Sequence, residues 1–243
     1  GMNAMIVDSS ALPEQVIAYV VDSAFGSAGQ RCSALRVLFV QEDVADRMIT
    51  MLQGAMATLT VGAPDQCHTD VGPVIDAAAL ARLQQHRAWL NEHGTVLSEV
   101  APSAEADGHY FAPCAYELRD AKLLTEEVFG PILHVVRFKR KQLADVIDTI
   151  NGYGYGLTFG VHSRIVSEVD HITRRVQCGN VYVNRNTVGA VVGVQPFGGC
   201  GLSGTGPKAG GPHYLLRLCQ EVVVSEDTTA SGGNASLMTL ELD

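Results

Sequence analysis

The feature that most limits the fold is a repeated alternation of short apolar segments with amphipathic ones. Residues 35–40 and 132–138 are apolar runs of strand length, and each is followed by a segment with apolar residues at helical spacing. Parallel strands require crossover segments of this kind. The sequence therefore predicts an α/β protein, with three αβα layers built around a largely parallel sheet.

Local signals predict where the helices begin and end. Pro13 suits the first turn of a helix that runs to about Phe25, and Asp43 and Asp76 are expected to cap two further helices. Gly94 is expected to end the second of these in a left-handed conformation. The remaining expected elements are helices over 141–150 and 166–176, and strands over 96–98, 157–162 and 181–184.

Composition separates the chain into two parts and excludes several classes of partner. Residues 2–224 are predicted to form one domain, and residues 225–243 a Gly- and Ser-rich C-terminal arm. The net charge is −9 and the 17 basic residues are scattered, so we expect no nucleic-acid partner through this domain. No apolar run approaches the ~18 residues of a membrane span, so none is expected.

The six cysteines show no Cys-x-x-Cys pair and no tight His/Cys ligand spacing. We therefore expect neither a disulfide framework nor a metal site, and we predict a cytoplasmic protein. Cys32 differs from the other five because it lies among small residues, directly after Gly29-Gln30-Arg31 and before an apolar strand. This context predicts a nucleophile rather than a packing residue, with the Cys32 amide helping to hold an oxyanion.

Two other interpretations of the motifs are weaker. The segment 199–204 fits G-x-G-x-x-G, but the prolines at 207 and 212 prevent the helix that a dinucleotide site needs, so a tight glycine loop is expected. A Cys–His hydrolase would need one of eight histidines beside Cys32, and none lies in a recognisable local signature.

Five segments, in order along the chain, resemble motifs of the aldehyde dehydrogenase superfamily. They are F-x-x-x-G-Q-x-C-x-A at 25–34, G-P-x-I at 72–75, E-x-F-G-P at 127–131, N-x-x-x-Y-G-L at 151–157 and P-F-G-G at 196–199. A narrower resemblance is to the 1-pyrroline-5-carboxylate dehydrogenase domain of the bifunctional proline utilization A proteins. The residues that carry it lie at 29–33, 184–186, 189–198, 201–212 and 232–237.

The resemblance implies a reaction and a role for each site residue. Cys32 would add to the aldehyde of L-glutamate γ-semialdehyde, and hydride transfer to NAD would leave a thioester that hydrolyses to glutamate, a step of proline catabolism. Glu127 would accept hydrogen bonds from the nicotinamide ribose, and Phe129 would pack near the nicotinamide. The Ser33 hydroxyl and the amides of Gly189 and Ala190 would bind the substrate carboxylate.

The resemblance also implies that the chain is a C-terminal fragment holding the catalytic domain. In the family, the cofactor domain, an oxyanion-hole Asn and the general-base Glu precede the part matched here, so we expect little or no turnover from this chain alone. FAD would belong only to a preceding proline dehydrogenase domain. A homo-oligomer is expected for the full-length protein, through an apolar strand at Val222–Val224 that is predicted to be an unpaired edge here.

Two alternatives remain open at this point. The chain could belong to an aldehyde dehydrogenase for another acid semialdehyde, or it could be a non-catalytic assembly module in which Cys32 is vestigial. The sequence leaves the choice between NAD and NADP open as well.

Overall fold

The computed structural model describes residues 1–103, 108–191 and 193–227. The strands in these ranges are β1 (Ala4–Val7), β2 (Val37–Gln41), β3 (Thr95–Glu99), β4 (Cys114–Glu117), β5 (Ile132–Phe138), β6 (Tyr155–Gly156), β7 (Thr158–His162), β8 (Asn180–Val183) and β9 (Cys200–Gly201). The α-helices are α1 (Pro13–Phe25), α2 (Glu42–Met56), α3 (Ala77–His93), α4 (Leu143–Gly152) and α5 (Val166–Arg175). Short 3₁₀ turns lie at Gly26–Gly29, Ala121–Leu123, Arg140–Gln142 and Leu215–Leu218.

Seven strands form one sheet in the order β3-β4-β5-β2-β1-β7-β8. Every neighbouring pair is parallel except β3 with β4, at the edge. Every residue of β1, β2 and β7 is buried, so both faces of the sheet centre are covered, as is usual for parallel sheets with helices on both sides. The predicted α/β fold is confirmed.

One interior strand of the sheet, β1, was not predicted from the sequence. β1 pairs with β2 on one side and with β7 on the other, with Ala4 opposite both Val37 and Phe159. It is only four residues long and no turn signal precedes it, so its pattern alone does not distinguish it from an irregular start. Its position results from pairing with distant strands.

Two local expectations were wrong. Asp43 does not cap α2, which begins one residue earlier; its carboxylate accepts a hydrogen bond from the Gln41 side chain, 2.5 Å away. Gly94 is extended, with φ −129°, because the chain passes directly from α3 into β3. A Cβ there would lie 3.0 Å from the Glu117 carbonyl oxygen, so close packing favours glycine. Asp76 caps α3 as expected, accepting from the Ala79 amide at 2.7 Å.

The glycine-rich segment after residue 196 is a tight loop, as predicted. β6 and β9 form a two-stranded ribbon, and no helix occurs at 199–212, all of which is described. Gly201 has φ +58°, and a Cβ on Gly199 would lie 2.8 Å from the Gly156 carbonyl oxygen. The backbone therefore approaches itself where a dinucleotide site would need an open helix terminus.

The chain beyond residue 212 lies largely on the surface. Val222, Val223 and Val224 are exposed and pair with no described residue, and that they form an edge strand in a larger assembly stays a prediction. Most of the predicted arm, and the 232–237 segment of the narrower resemblance, lie outside the described residues. Among the helices that the structure describes, none has the length and apolar character needed to cross a membrane.

Acid should weaken the fold through the buried histidine of β7. His162 is fully buried, and burial lowers its pKa from 6.5 to about 4. The unfolded chain therefore takes up a proton as the pH falls below about 6.5, whereas the folded chain does so only near pH 4. The free energy of unfolding should fall across this window by up to about 1.4 kcal/mol per pH unit for this group.

The measurement is urea unfolding between pH 7 and pH 4. The substitution His162→Phe should make the pH dependence shallower, whereas His171→Phe, at an exposed position of α5, should not. An unchanged slope in the His162 variant would contradict the assignment.

Candidate active site

The segments that carry the predicted site meet at one edge of the sheet. Cys32 and Ser33 precede β2, the Glu127–Gly130 segment precedes β5, and Asn3 and Leu157 precede β1 and β7. Because these four strands are parallel neighbours, their amino ends lie side by side. The fold therefore brings together residues that are almost a hundred positions apart in sequence.

The turn before Cys32 has an unusual backbone. Ser27, Ala28 and Gly29 are all left-handed, with φ of 56°, 54° and 64°. Two of the three are not glycine, and such conformations persist only where surrounding contacts impose them. The Cys32 side chain that follows is exposed, so the turn presents the thiol to solvent rather than to the core.

Three buried side chains hold the carbonyl groups of the cysteine loop, residues 29–34. Asn3 donates to the carbonyls of Cys32 and Ala34, both at 2.8 Å. The hydroxyls of Thr158 and Thr187 donate to the Ser33 carbonyl at 3.3 and 3.0 Å.

The amide of Cys32 is left for another partner. No described residue accepts a hydrogen bond from it. The amide can therefore donate a hydrogen bond to a negatively charged oxygen on a carbon that is bonded to the Cys32 Sγ.

Gln30 joins the cysteine loop to the segment that opens α3. Its side-chain NH₂ donates to the Pro73 carbonyl at 3.2 Å, and its side-chain oxygen accepts from the Ile75 amide at 2.8 Å. The G-Q-x-C and G-P-x-I motifs are therefore hydrogen-bonded to each other through Gln30.

Arg36 joins the cysteine loop to the E-x-F-G-P segment. Its guanidinium is 1% exposed and donates to the carbonyls of Gly29 and Gly130 at 2.8 and 2.9 Å. It also approaches the Glu127 carboxylate at 3.5 Å and lies 5.0 Å from the centre of the Phe129 ring. Burial lowers the pKa of Arg36 and the Glu127 carboxylate opposes that shift, so the guanidinium stays charged.

A cavity of about 1160 Å³ opens between α3 and the residues before β5. Its lining residues include Gln30, Arg82, His86, Trp89, Glu126, Glu127 and Phe129. The Phe129 ring is 44% exposed, and the Glu127 carboxylate, which also contacts the Gly1 amino group, keeps partial access to solvent. An exposed ring beside an accessible carboxylate can receive a flat heterocycle and a pair of hydroxyl groups.

The residues expected to bind a substrate carboxylate are tethered to the cysteine loop. The amide of Thr187, two residues before Gly189, donates to the Ser23 hydroxyl oxygen at 3.1 Å, and the Thr187 hydroxyl donates to the Ser33 carbonyl. Gly189 is exposed with φ +75°, and nothing lies within 4 Å of a Cβ built on it. Ala190 is partly exposed, and Ser33 is only 6% exposed.

Sequence reasoning missed the residues that connect these parts. Asn3, Arg36, Thr158 and Thr187 are polar residues in apolar surroundings, which was the available signal, but their partners are distant in sequence. Arg82, in the cavity wall, lies on a helix without a marked apolar stripe.

The other cysteines lack the setting of Cys32. Burial raises the pKa of Cys114 to about 12 and that of Cys178 to about 11. Cys67, Cys200 and Cys219 are exposed like Cys32, but none of them lies in the loop that Asn3, Thr158 and Thr187 hold. Within the described ranges, no group of three or more His, Cys, Asp or Glu side chains could hold a metal ion.

The contact between Gly29 and Gly130 should tolerate no side chain. A Cβ on Gly29 would overlap the Gly130 carbonyl and lie 2.9 Å from the Ala24 carbonyl oxygen, in addition to the strain of φ +64°. We expect Gly29→Ala to destabilise the fold by about 1–3 kcal/mol in urea unfolding. The control is Gly54→Ala in α2, where nothing lies within 4 Å and stability should rise by about 0.5–1 kcal/mol. Equal effects would contradict the packing described.

Comparison with known proteins is consistent with this geometry. The model of the aldehyde dehydrogenase family matches residues 1–224. The chain is 55% identical over 224 residues to the bifunctional protein PutA of Escherichia coli (strain K12), which covers 90% of this chain and 17% of that protein. It is 35% identical to the 1-pyrroline-5-carboxylate dehydrogenase of Geobacillus kaustophilus (strain HTA426), covering 93% of this chain and 44% of that enzyme.

Solved structures give the same result. A crystal structure of bifunctional proline utilization A superposes with a TM-score of 0.89 at 58% identity, covering 96% of this chain and 24% of that one. A 1-pyrroline-5-carboxylate dehydrogenase from Thermus with bound NAD superposes on 89% of this chain and 42% of its own, at 34% identity. The chain thus spans less than half the length of these relatives. With most of its length matched by the family model, the chain belongs to the aldehyde dehydrogenase family.

Proposed function

We propose that residues 2–224 are the catalytic domain of an NAD-dependent dehydrogenase that oxidises L-glutamate γ-semialdehyde to glutamate in proline catabolism. The observation that carries the proposal is the bridge made by Arg36, which holds the loop of an exposed Cys32 against the segment of Glu127 and Phe129. The relatives named PutA and 1-pyrroline-5-carboxylate dehydrogenase support the choice of substrate.

The chemistry follows from the thiol and the amide beside it. The Cys32 thiolate adds to the aldehyde carbon, and the carbonyl oxygen takes the negative charge beside the Cys32 amide. Collapse of this adduct restores the C=O bond and expels hydride, which leaves a thioester. Water then cleaves the thioester, releasing the carboxylic acid and the free thiol.

NAD supplies the hydride acceptor when it is bound. The cavity fits its nicotinamide end: Glu127 can accept from two ribose hydroxyls, while Phe129 offers an exposed ring to the heterocycle. The Thermus relative with bound NAD supports the choice of NAD as the cofactor.

The substrate carboxylate would bind to the amides of Gly189 and Ala190 and to the Ser33 hydroxyl. The left-handed Gly189 leaves open space beside its amide, which suits close approach of an anion. Ser33 is more buried than a binding residue usually is, so it would contribute only its small exposed part.

The remaining parts of the proposal concern the whole protein. The chain alone should turn over little, because by resemblance the cofactor domain and the water-activating Glu lie outside the matched part. We further propose a cytoplasmic homo-oligomer, supported by six free cysteines and by the exposed apolar residues Val222–Val224.

Protection of Cys32 by an aldehyde tests the substrate without any turnover. Iodoacetamide labelling followed by mass spectrometry should show Cys32 reacting faster than Cys67, which is also exposed. Glutamate semialdehyde should slow the labelling of Cys32 by forming the hemithioacetal. Propanal, which lacks the carboxylate, should protect about tenfold less well, as expected for about 1.4 kcal/mol of carboxylate binding.

Other outcomes of the same experiment favour the alternatives. Better protection by succinic semialdehyde would favour an enzyme for a different acid semialdehyde. Labelling of Cys32 no faster than Cys67, and unaffected by any aldehyde, would favour a non-catalytic assembly module.

The cofactor proposal has its own optical test. Trp89 is the one tryptophan of the sequence and lines the cavity, so nicotinamide mononucleotide should change its fluorescence on binding. The substitution Glu127→Gln should weaken binding by about 3- to 10-fold, because an amide oxygen is a poorer acceptor than a carboxylate. Glu126→Gln, in the same cavity wall, is the control, and equal losses from both variants would contradict the role of Glu127.

A further inference from the structure

Two histidines that the proposed chemistry does not use form a pair beneath the cavity. His134 lies on β5 and is buried, whereas His86 lies on α3 and lines the cavity. Their Nε2 atoms are 2.8 Å apart, and their ring centres are 5.1 Å apart in an edge-on arrangement. Two ring nitrogens at this distance share one proton between a donor and an acceptor.

The hydrogen bonds determine which nitrogen carries each proton. His134 Nδ1 lies 2.9 Å from the Arg36 carbonyl oxygen, which can only accept, so Nδ1 carries the hydrogen. Nε2 of a neutral His134 is then an acceptor, and His86 must donate from its own Nε2. The arrangement is therefore directional: His86 donates to His134, and His134 donates to Arg36.

The acceptor at the end of this chain belongs to the residue that joins the site together. The Arg36 carbonyl accepts from both the amide of His134, at 3.0 Å, and its Nδ1. The Arg36 side chain holds the Gly29 and Gly130 carbonyls and approaches Glu127. A change in the His134 ring therefore acts directly on the backbone of Arg36, the residue whose side chain makes these contacts.

The surroundings keep both rings neutral near pH 7. Burial lowers the pKa of His134 to about 3, and the neighbouring His86 and the Arg36 guanidinium act in the same direction. Burial also lowers the pKa of His86 to about 4, against the opposing charge of Glu126 from the cavity wall. Trp89 stacks on His86. Arg82, on α3, is a further charged residue of the cavity wall.

We propose that His86 and His134 are positioning residues, a neutral pair with fixed tautomers that holds Arg36 and, through it, the cysteine loop and Glu127. The pair connects the floor of the cavity to both halves of the site. Its consequence for catalysis rests on the proposed function, but its existence and its effect on Cys32 do not.

The tautomers can be observed directly in the 243-residue chain. Two-bond ¹H–¹⁵N correlation spectra at pH 7 should show His134 with its proton on Nδ1 and His86 with its proton on Nε2, assigned from the His134→Asn and His86→Gln variants. Both rings should stay neutral until the pH falls well below 6. A proton on His134 Nε2, or a charged ring at pH 7, overturns the proposal.

Two substitutions at position 134 separate the two hydrogen bonds. In His134→Asn the amide nitrogen replaces Nδ1, so the bond to Arg36 is kept and the bond to His86 is lost. In His134→Gln the amide reaches the position of Nε2, so the reverse holds. We expect iodoacetamide to label Cys32 at nearly the wild-type rate in the Asn variant and about 3- to 10-fold more slowly in the Gln variant, the effect of one lost hydrogen bond.

Position 86 provides a second test if the buried position fails to fold when changed. His86→Gln can still donate to His134 and should label like the wild type, whereas His86→Phe cannot and should be slower. His93→Gln is the matched control, because His93 also stacks on Trp89 from α3, but among the described residues its ring hydrogen-bonds only to the Trp89 carbonyl.

The outcomes at the two positions decide between positioning and packing. Equal labelling in the Gln and Phe variants at position 86, or equal slowing in the Asn and Gln variants at position 134, overturns the positioning role. If these differences appear while aldehydes give no protection and nicotinamide mononucleotide does not bind, the pair stands and the proposed function fails.

Discussion

One buried guanidinium connects the two halves of the site. Arg36 donates hydrogen bonds to the carbonyl groups of Gly29 and Gly130, and the close approach of these two residues requires that Gly29 lack a side chain. A buried charge is costly, and the two carbonyl groups and the Glu127 carboxylate offset that cost although Nε of Arg36 has no partner among the described residues. This arrangement ties the stability of the fold to the geometry of the site. The cysteine loop and the Glu127–Gly130 segment consequently behave as one unit.

The rest of the site is arranged around that unit by side chains that bind backbone rather than substrate. Asn3, Thr158 and Thr187 fix the carbonyls of residues 32–34, and Gln30 fixes the entry to α3. Such contacts orient amide groups at no cost during the reaction. They also join three of the motifs, because Gln30 links G-Q-x-C to G-P-x-I and Arg36 links it to E-x-F-G-P.

The sequence predicted the fold class and the bounds of β5, because strongly apolar runs carry their own signal. It missed β1, which is a strand only by virtue of its neighbours. Cys32 could be singled out from its local context, since small residues and a glycine turn precede it. The role of Arg36 could not, because its partners include a carbonyl 94 residues away, and the cavity exists only after α3 and the Glu127 segment have come together.

The position of β1 has a consequence for how the chain must fold. Next to β1, the side-chain oxygen of Asn3 accepts a hydrogen bond from the amide of Thr158 in β7, 155 residues later. The edge of β1 that β7 covers therefore stays unpaired until residues 158–162 have been synthesised. Until then the partly formed sheet has an open edge that can pair with other chains, so expression at low temperature or with chaperones should favour the correctly assembled protein.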